Sequence, residues 1–232
     1  MQHNDVNSSR RGFLGTLATG AAALGAATLA APLSLTANTL NKSTGHLADA
    51  DAWFKQIKGK HRIVFDVPEA NGIFPFAWPR VFMMTNGATG TPEKECSVVV
   101  VLRHNAIGYA MEDSLWAKYK LGEVFHLPDP ATNQPATRNP FWKPKQGAFS
   151  VPGIGPVAIG VNELQESGVM FCVCDAALTV YSAAVAEGAG LNAADLKKEW
   201  VAGLLPNIQV VPSGVWAVGR AQEHGCGYCF AG

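Results

Sequence analysis

The chain has 232 residues, 48% of them hydrophobic, and its 18 Lys and Arg balance 18 Asp and Glu. That is ample apolar material for one sizeable core. Zero net charge, with no basic stripe, argues against nucleic acid as a partner, because phosphate binding needs a positive surface. Five cysteines are too few for a disulfide scaffold, and their odd number leaves at least one thiol free or paired between chains.

The first segment is set aside before the fold is considered. Ser9-Arg10-Arg11-Gly12-Phe13-Leu14 precedes an Ala- and Gly-rich apolar run from Leu14 to about Ala31, and no acidic residue occurs between Arg10 and Asp49. This arrangement resembles a twin-arginine export signal. The run is too poor in Leu, Ile and Phe for a good membrane span. The expectation is a signal peptide over 1–37, handed to the twin-arginine translocase and removed. The mature chain is then periplasmic and not stably inserted in the membrane. Such export delivers folded proteins to an oxidising compartment and often serves proteins that carry a cofactor.

Residues 38–59 read as a polar linker followed by an amphipathic helix from Asp49 to Lys58, with Trp53, Phe54 and Ile57 inward. The domain proper is expected over 60–232. His61 to Val67 reads as the first strand, and Phe76 to Met84 as a helix with Pro79 in its first turn. Cys96 to Leu102, with four consecutive valines, reads as a strand buried on both faces. Arg103, His104 and Asn105 follow at its carboxyl end, the edge where open α/β sheets place their sites. His104 is a candidate base or ligand, or a hydrogen-bonded loop residue. Glu112 to Gly122 reads as a helix with Leu115, Trp116 and Tyr119 inward. The stretch 127–155 reads as a long loop held to the surface by its aromatics, with Arg138, Asn139, Phe141 and Trp142 its most capable residues. Helices are expected over Val157 to Ser167, Asn192 to Gly203 (capped by Asn192) and Val215 to Glu223 (capped by Ser213), and strands at Ile208 to Val211 and Cys226 to Phe230. The alternation predicts an open, doubly wound, mainly parallel α/β sheet of about five strands flanked by helices.

The stretch Met170-Phe171-Cys172-Val173-Cys174-Asp175 stands out. A short apolar strand ends in Cys174, and Asp175 can cap the helix that follows to about Glu187. A helix N-terminus offers free N–H groups and partial positive charge, and both favour a thiolate. The adjacent Asp175 carboxylate opposes this. Cys172, two residues earlier, should share a strand face with Cys174. Both cysteines can equally be small buried hydrophobes.

From Gly168 onward the chain resembles the DsrE/DsrF-like family of sulfur-relay proteins. The residues that carry the likeness are Gly168-Val169-Met170-Phe171, Cys174, Leu204-Leu205-Pro206-Asn207-Ile208, Val211-Pro212-Ser213-Gly214-Val215, Gln222-Glu223-His224-Gly225 and Tyr228. The first two strands and His104 fit in position. The resemblance implies the same α/β fold, a homo-oligomer (trimer or hexamer), no metal, and Cys174 as persulfide carrier, with sulfur-transferase-like activity. Cys172, Asp175, His104, Cys229 and Ser213 are its possible supports. The export signal, the long loop, Asp175 and the extra cysteines depart from the family pattern.

Cys226-Gly227-Tyr228-Cys229 is a C-x-x-C that follows a helix instead of opening one, so the usual activation is missing. No cofactor is expected. A minor alternative makes Cys172, Cys174, Cys226 and Cys229 ligands of zinc or an iron–sulfur cluster. A parallel last strand would hold Cys226 and Cys174 at opposite edges, ~10 Å apart for three residues of strand. Cys229 could still approach Cys174 as a disulfide or two-cysteine site. No phosphate loop or Ser/His/Asp elbow is present. The other readings are a cofactor-binding periplasmic protein and a non-catalytic oligomeric binding module.

Overall fold

Residues 50–232 are described by a computed structural model. The expected signal peptide over 1–37, the expected linker and the expected helix start at Asp49 lie outside them. The strands are β1 (His61–Val67), β2 (Cys96–Leu102), β3 (Ser150–Val151), β4 (Gly155–Pro156), β5 (Met170–Cys174), β6 (Ile208–Val211) and β7 (Gly227–Phe230). The helices are α1 (Phe74–Ala88), α2 (Asp113–Tyr119), α3 (Leu121–Val124), α4 (Val161–Glu166), α5 (Asp175–Ala189), α6 (Ala193–Ala202) and α7 (Gly214–Glu223). A further helical turn spans 50–54.

Five strands form one parallel sheet in the order β6-β5-β2-β1-β7. The chain steps one way from β1 through β2 and β5 to β6, then returns to pair β7 on the far side of β1. Right-handed crossovers require the first three connections to lie on one face and the return helix on the other. The two apolar clusters match this. On one face Val98, Val100 and Leu102 of β2 pack with Phe65, Phe171, Val173, Phe76, Phe141 and Trp200. On the other, Val99 and Val101 pack with Val64, Cys172, Phe54 and the α7 residues Ala217 and Ala221. The valine run is continuous because both faces need apolar side chains. The sheet is thus the parallel α/β architecture that the alternation of strands and helices predicts.

Several boundaries differ from the expectation. α1 begins at Phe74, so Pro75 occupies its first turn while Pro79 lies inside the helix. Pro79 there leaves the carbonyl four residues back without its helical donor. The buried face of α1 is Pro75, Phe76, Ala77, Pro79 and Met83, and Trp78 turns outward to stack on Phe74 at 4.8 Å. The predicted Glu112–Gly122 helix is broken at Lys120, which takes a left-handed φ of 50° between α2 and α3. α4 is shorter than the predicted 157–167, because Val157 extends the β3–β4 hairpin by donating to the Phe149 carbonyl.

The long connection is exposed along much of its length and is anchored in the core by a few buried side chains. Phe141 is fully buried and stacks on Phe76 with centroids 4.1 Å apart. Asn139, also fully buried, donates from Nδ2 to the carbonyls of Tyr109 (2.9 Å) and Met111 (3.0 Å) and accepts from Phe141 N–H (3.1 Å). Irregular backbone can be buried only when its polar groups find partners, and Asn139 supplies them.

Candidate active site

Parallel strands bring all five carboxyl ends to one edge. Leu102 pairs with Val173, so Arg103 and Cys174 leave neighbouring strands side by side, with the strands ~4.8 Å apart. Asp66, next to the last residue of β1, completes the edge. It is 4% exposed, and it accepts a bidentate pair from Arg103, Nε to Oδ1 at 2.6 Å and Nη2 to Oδ2 at 2.9 Å. The Tyr228 hydroxyl of β7 donates to the same Oδ2 at 3.0 Å. A buried carboxylate needs such partners to stay charged. The Arg103 guanidinium is held above its ordinary pKa, first by the hydrogen bond to Asp66, with smaller contributions from the charges of Asp66, Tyr228 and Cys174.

Cys174 itself caps α5. Its backbone is extended (φ −76°, ψ 111°), and its Sγ accepts the Ala177 N–H at 3.3 Å. The predicted cap, Asp175, is instead the first helical residue. The chain turns helical one residue early, which hands the capping role to the sulfur. Asp175 is directed away to Lys197 of α6, at 2.8 and 2.9 Å. Its charge is therefore paired, and it does not stand against the sulfur as an isolated carboxylate. Cys174 is 6% exposed.

Cys172 and Cys174 do not share a cluster. Cys172 packs with Val99, Val101 and Val211 on the α7 side, while Cys174 packs with the larger core on the other. The strand alternation ends where Cys174 turns into the helix. Burial pushes the Cys172 thiol well above its ordinary value, with the neighbouring Cys174 charge adding to it. Cys172 is a protonated core residue.

His104 begins a 3-10 turn (His104–Ala110) with a left-handed φ of 50°. A non-glycine residue held there costs about 1 kcal/mol. Its ring sits edge-on to Tyr181 of α5 at 5.7 Å. The Tyr181 hydroxyl donates to the Asn105 side-chain oxygen in a short hydrogen bond, and burial raises its pKa. Ser213 caps α7, its Oγ accepting from Trp216 N–H at 3.2 Å, which makes it a structural cap at the rim of the site. Beside it, a methyl on Gly214 would lie 2.7 Å from Arg103 Cδ, so only glycine lets the arginine cross this helix start.

The remaining cysteines do not converge on Cys174. β7 lies three strand positions from β5, about 14 Å at ~4.8 Å per spacing. A disulfide needs Cα atoms within about 7 Å, so no Cys174–Cys229 bridge or two-cysteine site can form without rebuilding the sheet. Cys226 precedes β7 at the amino edge, as a parallel strand requires. All five thiols are free. Among the described residues no three His, Cys, Asp or Glu side chains are placed to hold a metal ion, so the four-cysteine metal or iron–sulfur alternative does not fit. Also among the described residues, no helix is long and apolar enough to cross a membrane.

The edge therefore gathers Cys174, Arg103, Asp66, Tyr228, His104, Asn105 and Tyr181. Asp66 left a signal in the sequence, a lone acid inside the apolar run Ile63-Val64-Phe65-Asp66-Val67. Tyr181 and Lys197 left none, since helix residues meet a strand end only through tertiary packing. Comparisons with protein-family models, curated proteins and solved structures return no match for this chain.

Proposed function

We propose that the protein is an exported, DsrE-like thiol protein in which Cys174 accepts and passes on sulfur as a persulfide. The observation that carries this reading is the position of the sulfur, which caps the fifteen-residue α5 at the carboxyl edge of the sheet. A thiolate there accepts the Ala177 N–H more strongly than a thiol does and meets the positive end of the helix.

In the forward step the Cys174 thiolate attacks the outer, sulfane sulfur of a donor. The donor's S–S bond breaks, its leaving group departs with the electron pair, and Cys174 keeps one added sulfur. In the return step an acceptor thiolate attacks that outer sulfur and Cys174 leaves as thiolate. No net oxidant is consumed. Cys174 is 6% exposed, so a donor has to reach a largely buried residue.

The periplasm is the proposed compartment, supported by the Ser9–Leu14 motif and the apolar run behind it. A homo-oligomer is proposed as the working form. The unpaired edge of β7, with Tyr228 and Phe230 about half exposed, supports it as a surface that a second copy would cover.

The test is the intact mass of protein isolated from its own host, before and after reductant and alkylation, with modified peptides mapped. One labile sulfur on Cys174 is expected, absent in Cys174→Ala. An unmodified thiol at Cys174 throughout, in cells actively handling sulfur, would overturn the assignment.

A further inference from the structure

At the amino end of the sheet, Lys58, Lys60, Arg62 and Lys94 line one cleft of about 630 Å³, and Glu95 is the only acid among its lining residues. The chain as a whole has no net charge, so this concavity concentrates positive charge that is balanced elsewhere. Among the described residues no hydrogen bond or ion pair engages the ammonium groups of Lys58, Lys60 and Lys94. Arg62 is held by two carbonyls, Nε on Gly59 at 2.6 Å and Nη1 on His224 at 2.8 Å, and neither bond cancels its charge. The nearby acid Glu93 is turned to Arg80 at 3.6 Å.

The backbone that presents these cations is fixed. Ser97 Oγ accepts the N–H groups of Lys58 at 3.2 Å and Gly59 at 2.7 Å, and Lys60 N–H donates to the Glu95 carbonyl at 2.6 Å. Gly59 lies so close to the start of β2 that a Cβ there would collide with Ser97 N. Lys94 comes from a separate stretch, the turn Glu93–Glu95. Like charges held round one concavity repel one another and focus their field on an anion that enters it. The seven residues of β2 set this cleft ~20 Å from the Cys174 edge, so its ligand is not the reagent of that sulfur.

We propose that the cleft binds a compact polyanion of linked phosphate groups. Ammonium groups recognise phosphate as point charges, and three unpaired ones call for more than one anionic centre. The volume suits a small molecule.

Calorimetric titration of the purified full chain at low salt, with tripolyphosphate and with orthophosphate as probes, tests this. Tripolyphosphate should bind one per chain and about tenfold tighter than orthophosphate, and added salt should weaken it. Lys60→Gln with Lys94→Gln should weaken tripolyphosphate about tenfold, while Lys145→Gln with Lys198→Gln, an equal change of charge outside the cleft, should leave it within about twofold. Glu95→Gln should tighten it, and Cys174→Ala should leave it unchanged. ATP bound as tightly as tripolyphosphate marks an esterified phosphate chain and weaker binding a free one; both sustain the proposal. No binding of tripolyphosphate, orthophosphate bound equally well, or equal weakening in the two double variants overturns it. Retention on DNA or on anionic vesicles without tripolyphosphate binding overturns it too, and makes the patch a macromolecular surface.

Discussion

The two ends of the parallel sheet hold the same reactive atom in opposite settings. At the amino end, Cys96 lies in a cleft of about 630 Å³ that Lys58, Lys60, Arg62 and Lys94 also line. Its thiol is nonetheless pushed up, by burial first and then by Glu93 and Glu95. Cys226, at the same end, is pushed up to about 11 by burial, which the nearby Arg62 only partly offsets. At the carboxyl end Cys174 Sγ accepts a backbone N–H at the start of α5. The parallel fold starts α5 and α7 at the carboxyl end, directly after β5 and β6.

Cys174→Ala tests the contrast most severely. It should remove essentially all thiol labelling of the native protein at neutral pH, while Cys96→Ala, Cys226→Ala and Cys229→Ala leave most of it. Labelling carried chiefly by Cys96 or Cys226 would reverse the comparison. Next in size, Asp66→Ala strips Arg103 and Tyr228 of their shared acceptor. Breaking a buried pair costs about 3–5 kcal/mol, and the part-exposed Arg103 places this one near 3, read from the denaturation midpoint. A loss under about 1 kcal/mol would mean that the carboxyl end is not built on this network. Ser213→Ala removes the α7 cap and should cost about 1 kcal/mol without changing Cys174 reactivity.

The smallest effect is one of pH. The Cys226 thiol titrates at about 11 in the fold against 9.0 unfolded. Between those values the unfolded chain binds fewer protons, so stability is intact below about pH 9 and falls as pH rises toward 11. Denaturation at pH 8 and pH 10.5 should show the decline, and Cys226→Ala should reduce it. A decline of equal size in the variant would assign it to other groups.

Much of this was legible because it depends on near neighbours in the chain. Asn192 and Ser213 cap their helices as the residue types suggest, and the valine run is a central strand. The exit of β5 into a helix is legible in the sequence and places Cys174 at a strand end. The cap was misplaced by one residue because Cys174 and Asp175 are both able to accept the N–H, and only Lys197, twenty-two residues on, draws Asp175 away. The metal alternative failed for a similar reason, since C-x-x-C spacing says nothing of which strand β7 joins.

The sequence alone determined the α/β class, the order of the elements and the candidate sulfur, since periodicity, caps and strand length act within a few residues. The tertiary structure alone decided what surrounds that sulfur. Strand order separated Cys229 from Cys174, register set Arg103 beside it, and Asp66, Tyr228 and Tyr181 arrived from β1, β7 and α5. The anchoring of 127–155 was equally a tertiary result, for Phe141 and Asn139 find their partners in α1 and the turn after β2. Such contacts join residues distant in the chain, and their free energy exists only once the sheet has fixed which strand ends lie side by side.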